Sequence, residues 1–251
     1  MPDSRRHRGP HPEDHRLFHA DRVADLQKAV ADFSLLLSRE YATPSALKLV
    51  GDHFNLTERQ RTAIQRASCS DQALINRKKT EIPLSTTPNQ SLLIDGYNIL
   101  TTLETALSGG PIFACRDGCF RDMASIHGTY RKVEETIPAL SLLADFLSTA
   151  NCGPITVLLD SPVSNSGRLK GMIESVNPNW KVNLFPNPDP ILAASDQVVV
   201  TADSVILDAA KRWLNLARQI IISRIPQSWI IRRAIFFATS RSPLAPSSVR
   251  A

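Results

Sequence analysis

The sequence predicts an α/β sandwich with a mainly parallel sheet, preceded by a small all-α module. Three observations carry that expectation. Apolar residues recur at helical spacing within residues 1–75, short apolar runs alternate with amphipathic stretches over residues 91–218, and an aperiodic stretch holding prolines, residues 76–90, lies between them as a linker. At 251 residues and 43% hydrophobic content, the chain suits a small module plus a medium domain with a packed core.

In the first module, Pro12 with Glu13 and Asp14 reads as a first helical turn, its acids complementing the positive end of the helix dipole. Val23, Leu26, Val30 and Phe33 then fall on one stripe of a helix running to about Arg39. Thr43 and Pro44 open the next helix, "SALKLVGDHF". Thr57 and Gln60 form a reciprocal capping box ahead of "ERQRTAIQRA", so two short helices meet at "FNL". That helix-turn-helix outline carries Arg59, Arg61 and Arg66 on its second helix, which makes them the candidate nucleic-acid contacts.

From residue 91 the pattern changes. "SLLI" is a continuous apolar run, as a parallel strand covered on both faces requires. "EETIPALSLLADFLSTA" follows as a helix, "ITVLLD" as a strand, "GRLKGMIESV" as a helix, and "KVNLF" and "QVVVTADS" as strands. "SVILDAAKRWLNLARQ" reads as one closing helix. Residues 219–251, apolar clusters broken by arginines, do not read as a completed domain and are expected to be poorly ordered.

Charge is distributed unevenly. Residues 1–90 hold 14 Lys and Arg against 11 Asp and Glu, residues 91–218 hold 10 against 13, and residues 219–251 hold 5 against none. An acidic centre between basic flanks fits a metal-binding or catalytic core beside segments that hold a polyanion. Four scattered cysteines and a polar N-terminus predict a reducing cytoplasm. Cys115 and Cys119, with His127 downstream, match no standard zinc spacing. No stretch approaches the roughly 20 apolar residues of a membrane span, so no stable membrane insertion is expected.

Three strands end in an acid: Asp95 after "LLI", Asp160 after "VLL" and Asp203 after "VVVTA". Ligands of open parallel sheets bind outside the carboxyl ends of the strands, where these carboxylates would converge. Converging carboxylates resist ionisation unless a cation neutralises them. Hard oxygen ligands suit Mg²⁺ or Mn²⁺, and the chemistry they support best is attack by water on a phosphodiester. The bland alternatives are that Asp203 caps the helix starting at Ser204 and that Asp160 opens a turn with Ser161 and Pro162.

"LLIDGYN" with "VLLD" and "VVVTADS" resembles the PIN-like nuclease superfamily, in particular its NYN branch. The resemblance spans about residues 91–218 and implies a three-layer sandwich with metal-dependent ribonuclease activity. It makes Asp95 the first metal ligand, Asn98 a polar partner for water or a substrate phosphate, and Asp160 and Asp203 the further catalytic carboxylates. Extra acids are spread over Glu104, Asp117, Asp122, Asp189 and Asp208, of which Asp189 and Asp122 are the better additional metal ligands. From about residue 8 the chain also resembles an archaeal and bacterial family, number 434 of the domains of unknown function, in which a basic helical module precedes a PIN-like domain. "RGPHPEDHRLF", "LTERQRTAIQRASCSD" and "LLDSPVSNSG" are among the stretches that carry it.

Two loops are candidate substrate contacts. Ser164, Ser166 and Gly167 precede a helix whose free amides favour an anion, with Arg168 alongside. The long segment "SGGPIFACRDGCFRDMASIHGTYRK" offers Arg121. The function these features predict is an endoribonuclease acting on RNA rather than DNA. The alternative is a catalytically inactive PIN-like protein that binds nucleic acid or regulates. Related domains often self-associate, so a homodimer is a further expectation.

Overall fold

The computed structural model describes residues 6–124 and 128–232. It is a mixed α/β structure with a helical N-terminal region, as the sequence predicts. Five helices come first: α1 (Asp14–Leu17), α2 (Ala20–Ser38), α3 (Thr43–His53), α4 (Glu58–Ala67) and α5 (Asp71–Thr80). The first helix does not run on from Pro12 to Arg39. It stops at Phe18, and His19 starts α2 afresh by accepting from the Asp21 amide. The capping box of α4 is present, with the Gln60 amide donating to Thr57 Oγ1 at 3.3 Å and the Thr57 amide to Gln60 Oε1 at 3.1 Å. Leu26, Val30 and Phe33 of α2 bury against Ala46 and Val50 of α3 and against Ala63 and Ile64 of α4.

Helix α5 extends five residues into the stretch expected to be linker, because Ser70 caps its start and Arg77, inside the helix, is buried by partners of its own. The β-rich part follows: β1 (Leu92–Asp95), α6 (Gly96–Leu107), β2 (Ile112–Ala114), β3 (Phe120–Arg121), α7 (Thr136–Thr149), β4 (Ile155–Asp160), α8 (Ser166–Val176), β5 (Lys181–Phe185), α9 (Asp189–Ala194), β6 (Val198–Val200), α10 (Ser204–Ala209), β7 (Trp213–Leu214), α11 (Leu216–Arg224) and β8 (Ile230–Ile231).

The main sheet has the order β5-β4-β1-β6-β7, parallel throughout. Its layers follow from side-chain alternation. Leu92 and Ile94 of β1, Val157 and Leu159 of β4 and Val198 and Val200 of β6 enter one core, shared with α6, α7, α8 and α11. Leu93, Leu158 and Val199, the intervening residues, enter the other core with α9 and α10. That arrangement is a three-layer sandwich. The chain leaves β1 toward β4 and β5, then returns to add β6 and β7 on its other side, so β1 lies at the topological switch point.

Two expectations are corrected in the last third. "SVILDAAKRWLNLARQ" is not one helix: α10 ends at Ala209, and Trp213 and Leu214 pair with Val199 and Val200 before α11 begins. A short apolar run satisfies helical and strand patterns alike, and here the unpaired side of β6 decides. The tail is ordered as far as it is described. Ile220, Ile221 and Ile225 are fully buried, and β8 pairs with β2, Ile112 opposite Ile230, in a second sheet of order β3-β2-β8. Residues 233–251 of that tail lie outside the described residues. The second sheet packs on the helical module, whose core includes Phe113 and Cys115. Among the described residues, no helix is long and apolar enough to cross a membrane.

Candidate functional site

The strand β1 is buried along its length and ends in Asp95, which also caps α6 by accepting from the Asn98 amide at 3.4 Å. Gly96 is what lets α6 begin there. A Cβ on Gly96 would stand 2.5 Å from Leu159 Cδ2, 2.8 Å from Val157 Cγ1 and 2.9 Å from the Leu158 carbonyl oxygen. The "DGYN" sequence thus turns strand into helix directly against β4, leaving Asp95 and Asn98 at the sheet's carboxyl edge.

That edge opens into a cavity of about 500 Å³ whose lining includes Asp95, Asp122, Asp160, Asp189 and Asp203. Its size lies within the range of roughly 300–1,000 Å³ usual for ligand pockets. The three strand-end acids named by the sequence therefore line one cavity, as does Asp189, at the start of α9. Electrostatics link them in a chain. Burial pushes Asp95 up to about 7, against hydrogen bonds from Thr201 and Asn98 that hold it down, with Asp203 and Asp189 adding to the rise. Burial, and then Asp189, raise Asp160; burial, and then Asp203, raise Asp189. Asp95, Asp160, Asp189 and Asp203 make no ion pair among the described residues.

Asp95 and Asp203 each have a second attachment. Thr201 Oγ1 donates to Asp95 Oδ2 at 2.8 Å and accepts from the Asp203 amide at 3.0 Å. Asp203 Oδ1 caps α10 by accepting from the amides of Val205 and Ile206, so capping and cavity lining coexist. Asn98 Oδ1 accepts from the Ala202 amide at 2.7 Å, which pins the start of α6 to the end of β6. Asp122 is committed elsewhere. Its Oδ2 accepts from Thr102 at 2.7 Å, its Oδ1 from the Ala124 amide at 2.6 Å, and Arg66 lies 3.7 Å away. Asp122 therefore shapes a loop, and Asp189 is the better fourth acid.

The oxygen-only donor set has the chemistry of a hard divalent cation. As they stand, no three His, Cys, Asp or Glu among the described residues are grouped closely enough to hold one. Three of these carboxylates would have to stand closer together than they do to share one ion.

Other candidates lie elsewhere. Glu104 is fully buried and bonded to Arg8 at 2.5 Å, Tyr130 at 2.5 Å and Thr136 at 2.6 Å. Asp117 is buried between Arg77 and Arg121, and Asp208 pairs with Arg77 at 2.7 Å. Arg121 lines the cavity but is buried, its donors taken by Asp117, the Ala202 carbonyl and the Arg66 carbonyl, so it serves as a brace rather than a substrate contact. Ser164, Ser166, Gly167 and Arg168 are not in the cavity lining. The residue before α8 is Asn165, in a left-handed conformation with φ 70°, and Ser166 Oγ donates to the Ser161 carbonyl. Arg59 pairs with Asp14, and Arg61 with Asp52 at 2.7 Å, so both hold the module together. Arg66 alone of the three lines the cavity. Cys115 and Cys119 are buried, and His127 lies outside the described residues.

Sequence reasoning missed Thr201, Tyr97, Thr101 and Thr102, which also line or brace the cavity. The signal for Thr201 stood in the "TAD" motif; Thr101 and Thr102 gave none, since a helix interior says nothing of which face meets a distant loop.

Comparison with known proteins agrees with this division. Residues 84–219 match the family described as "Domain of unknown function (DUF5616)", and residues 25–79 match "Protein of unknown function (DUF434)". The family 434 resemblance thus holds for the helical module, while the α/β part matches a second family. The uncharacterized protein MJ0935 of Methanocaldococcus jannaschii is 31% identical over 186 residues, covering 72% of this chain and 88% of that protein. No solved structure matches. None of these descriptions names an activity.

Proposed function

This chain belongs to the DUF5616 family, and from that premise, which assigns no chemistry, we propose that it is a Mg²⁺- or Mn²⁺-dependent phosphodiesterase, an endoribonuclease of PIN-like type. One observation carries the proposal. Asp95, Asp160, Asp189 and Asp203 meet at one cavity at the sheet's carboxyl edge without cationic partners among the described residues, and Asp95 is held up to about 7. Structural carboxylates are normally paired, and a strongly perturbed one without a cationic partner in a cleft, as Asp95 is, makes the cleft a candidate functional site.

Asp95, Asp160, Asp189 and Asp203 would hold the ion, which supplies Lewis acidity to a phosphoryl oxygen. The chain's own residues set its conditions. Thr201 and the Asn98 amide favour the ionised form of Asp95, while burial opposes it. Asn98, with Oδ1 fixed by Ala202, presents its side-chain amide from a rigid position for a substrate oxygen.

A second reading, an inactive PIN-like protein that binds nucleic acid, is favoured by the capping of α10 by Asp203 and the commitment of Asp122. The deciding experiment incubates the full chain with labelled single-stranded RNA, structured RNA and DNA, with manganese or with chelator, beside Asp95→Asn. The proposal expects cleavage of RNA that chelator and the substitution both abolish. Chelator-insensitive cleavage, or full activity in the variant, defeats it.

A further inference from the structure

A buried hydroxyl with no hydrogen-bond partner is costly, so each one calls for a reason. Among the described residues, the side-chain hydroxyls in that state belong to Ser34, Tyr97, Thr105 and Ser228. Of these, Tyr97 lines the acidic cavity and the other three do not. Its place follows from the turn of strand into helix. Tyr97 comes directly after Gly96 in the first turn of α6, between Asp95 and Asn98, and is only 6% exposed. The ring belongs to the main core, its centroid 5.4 Å from that of Tyr130. Close packing fixes such a ring, and with it the position of the hydroxyl.

The carboxylate whose charge reaches that hydroxyl is Asp160: burial, and then Asp160, push the phenol up to about 12. Asp160 lacks what Tyr97 has to give. Asp95 accepts from the Thr201 hydroxyl and the Asn98 amide, and Asp203 from the amides of Val205 and Ile206. The Asp160 carboxylate has only its own backbone amide, and no other described residue donates to it. Asp189 is without a side-chain donor too, but its charge does not act on Tyr97. At one cavity, therefore, an acceptor without a side-chain donor stands near a donor without an acceptor. Asp160 is half-buried, so its carboxylate has more room to turn than the core-packed phenol.

A carboxylate that holds a cation through one oxygen keeps its direction by accepting a hydrogen bond at the other. Thr201 already stands in that relation to Asp95. We propose that Tyr97 is the positioning residue of Asp160, its hydroxyl donating to that carboxylate when a divalent cation is held at the acidic edge; the proposal rests on the reading of that edge as a cation site. A phenol carries no positive charge, so it orients the acid without competing with the ion for it, as a lysine or arginine in its place would.

The test uses the full chain, Tyr97→Phe, and Tyr41→Phe as a control in an exposed tyrosine of the helical module. Without added ion, Tyr97→Phe should leave the thermal midpoint unchanged or raise it, because the hydroxyl has no bond to lose there. Manganese titrated calorimetrically should bind Tyr97→Phe about tenfold more weakly than the parent, as loss of an outer partner of a ligand does. Manganese should also perturb the tyrosine ultraviolet spectrum of the parent and of Tyr41→Phe, and not that of Tyr97→Phe. Manganese affinity unchanged in Tyr97→Phe, a midpoint lowered without ion, or an equal loss in Tyr41→Phe overturns the inference while leaving the cation site standing. A parent that binds no manganese removes the cation site and this inference with it. Unchanged manganese affinity with a raised KM for RNA would assign the hydroxyl to the substrate instead, and also overturns it.

Discussion

Thr201 and Asp95, 106 positions apart in the chain, are joined by a 2.8 Å hydrogen bond from the threonine hydroxyl to the buried carboxylate. That bond favours the ionised acid, the form a cation needs. Thr201→Val keeps the shape and removes the donor. The pH midpoint of manganese binding should then move upward, with a stability loss of about 0.5–1.5 kcal/mol. Calorimetric titrations across pH check it, and a downward move would contradict the assigned role.

Asp95 itself should make the protein less stable as pH rises. Its carboxyl is raised from 3.8 to about 7 in the folded state, chiefly by burial, so the folded chain holds this proton where the unfolded chain has released it. Stability therefore falls between those two values, by on the order of a few kcal/mol, and the loss is complete above the upper one. Asp95→Asn should raise the thermal midpoint above neutrality and leave it nearly unchanged at about pH 4. Added manganese should recover the loss in the parent and leave the variant's thermal midpoint nearly unchanged.

Gly96 is the steric hinge of the site. Gly96→Ala forces a methyl into Leu159, Val157 and the Leu158 carbonyl, each closer than 3 Å. Destabilisation of about 1–3 kcal/mol is expected from overpacking, with displaced Asp95 and weakened manganese binding. Denaturant unfolding and calorimetry measure both.

Asp117 locks the module to the α/β core. Burial opposes its ionisation, but Arg121 and Arg77 hold it down at about 2, so its contribution is present above 3.8 and disappears as pH falls toward the lower value. Asp117→Asn leaves buried Arg121 without its anion and Arg77 with Asp208 alone, and should destabilise by about 3–5 kcal/mol. Thermal unfolding near neutrality is the check; a change within error would remove the network from the account.

Much of this fold is legible in the sequence where local pattern and burial agree. The runs "LLID" and "ITVLLD" are strands because both of their faces meet helices, "KVNLF" pairs beside β4 as the sheet's edge, and the Thr57–Gln60 cap announces α4. What escapes local reading depends on distant pairing. Trp213 and Leu214 become a strand only because β6 offers an edge, and Ile230 and Ile231 only because β2 does. The site divides the same way. Asp95, Asp160 and Asp203 are visible as strand-end acids, whereas the place of Arg66 beside them depends on how the module docks, which its own helix does not encode.

Everything turns on whether the acidic edge binds a divalent ion. Manganese titrated calorimetrically into the full chain, beside Asp95→Asn and Asp189→Asn, measures this directly. Saturable binding that releases protons near neutrality, and that weakens sharply in both variants, is the predicted result. Binding absent from the parent, or indifferent to both substitutions, would contradict the account.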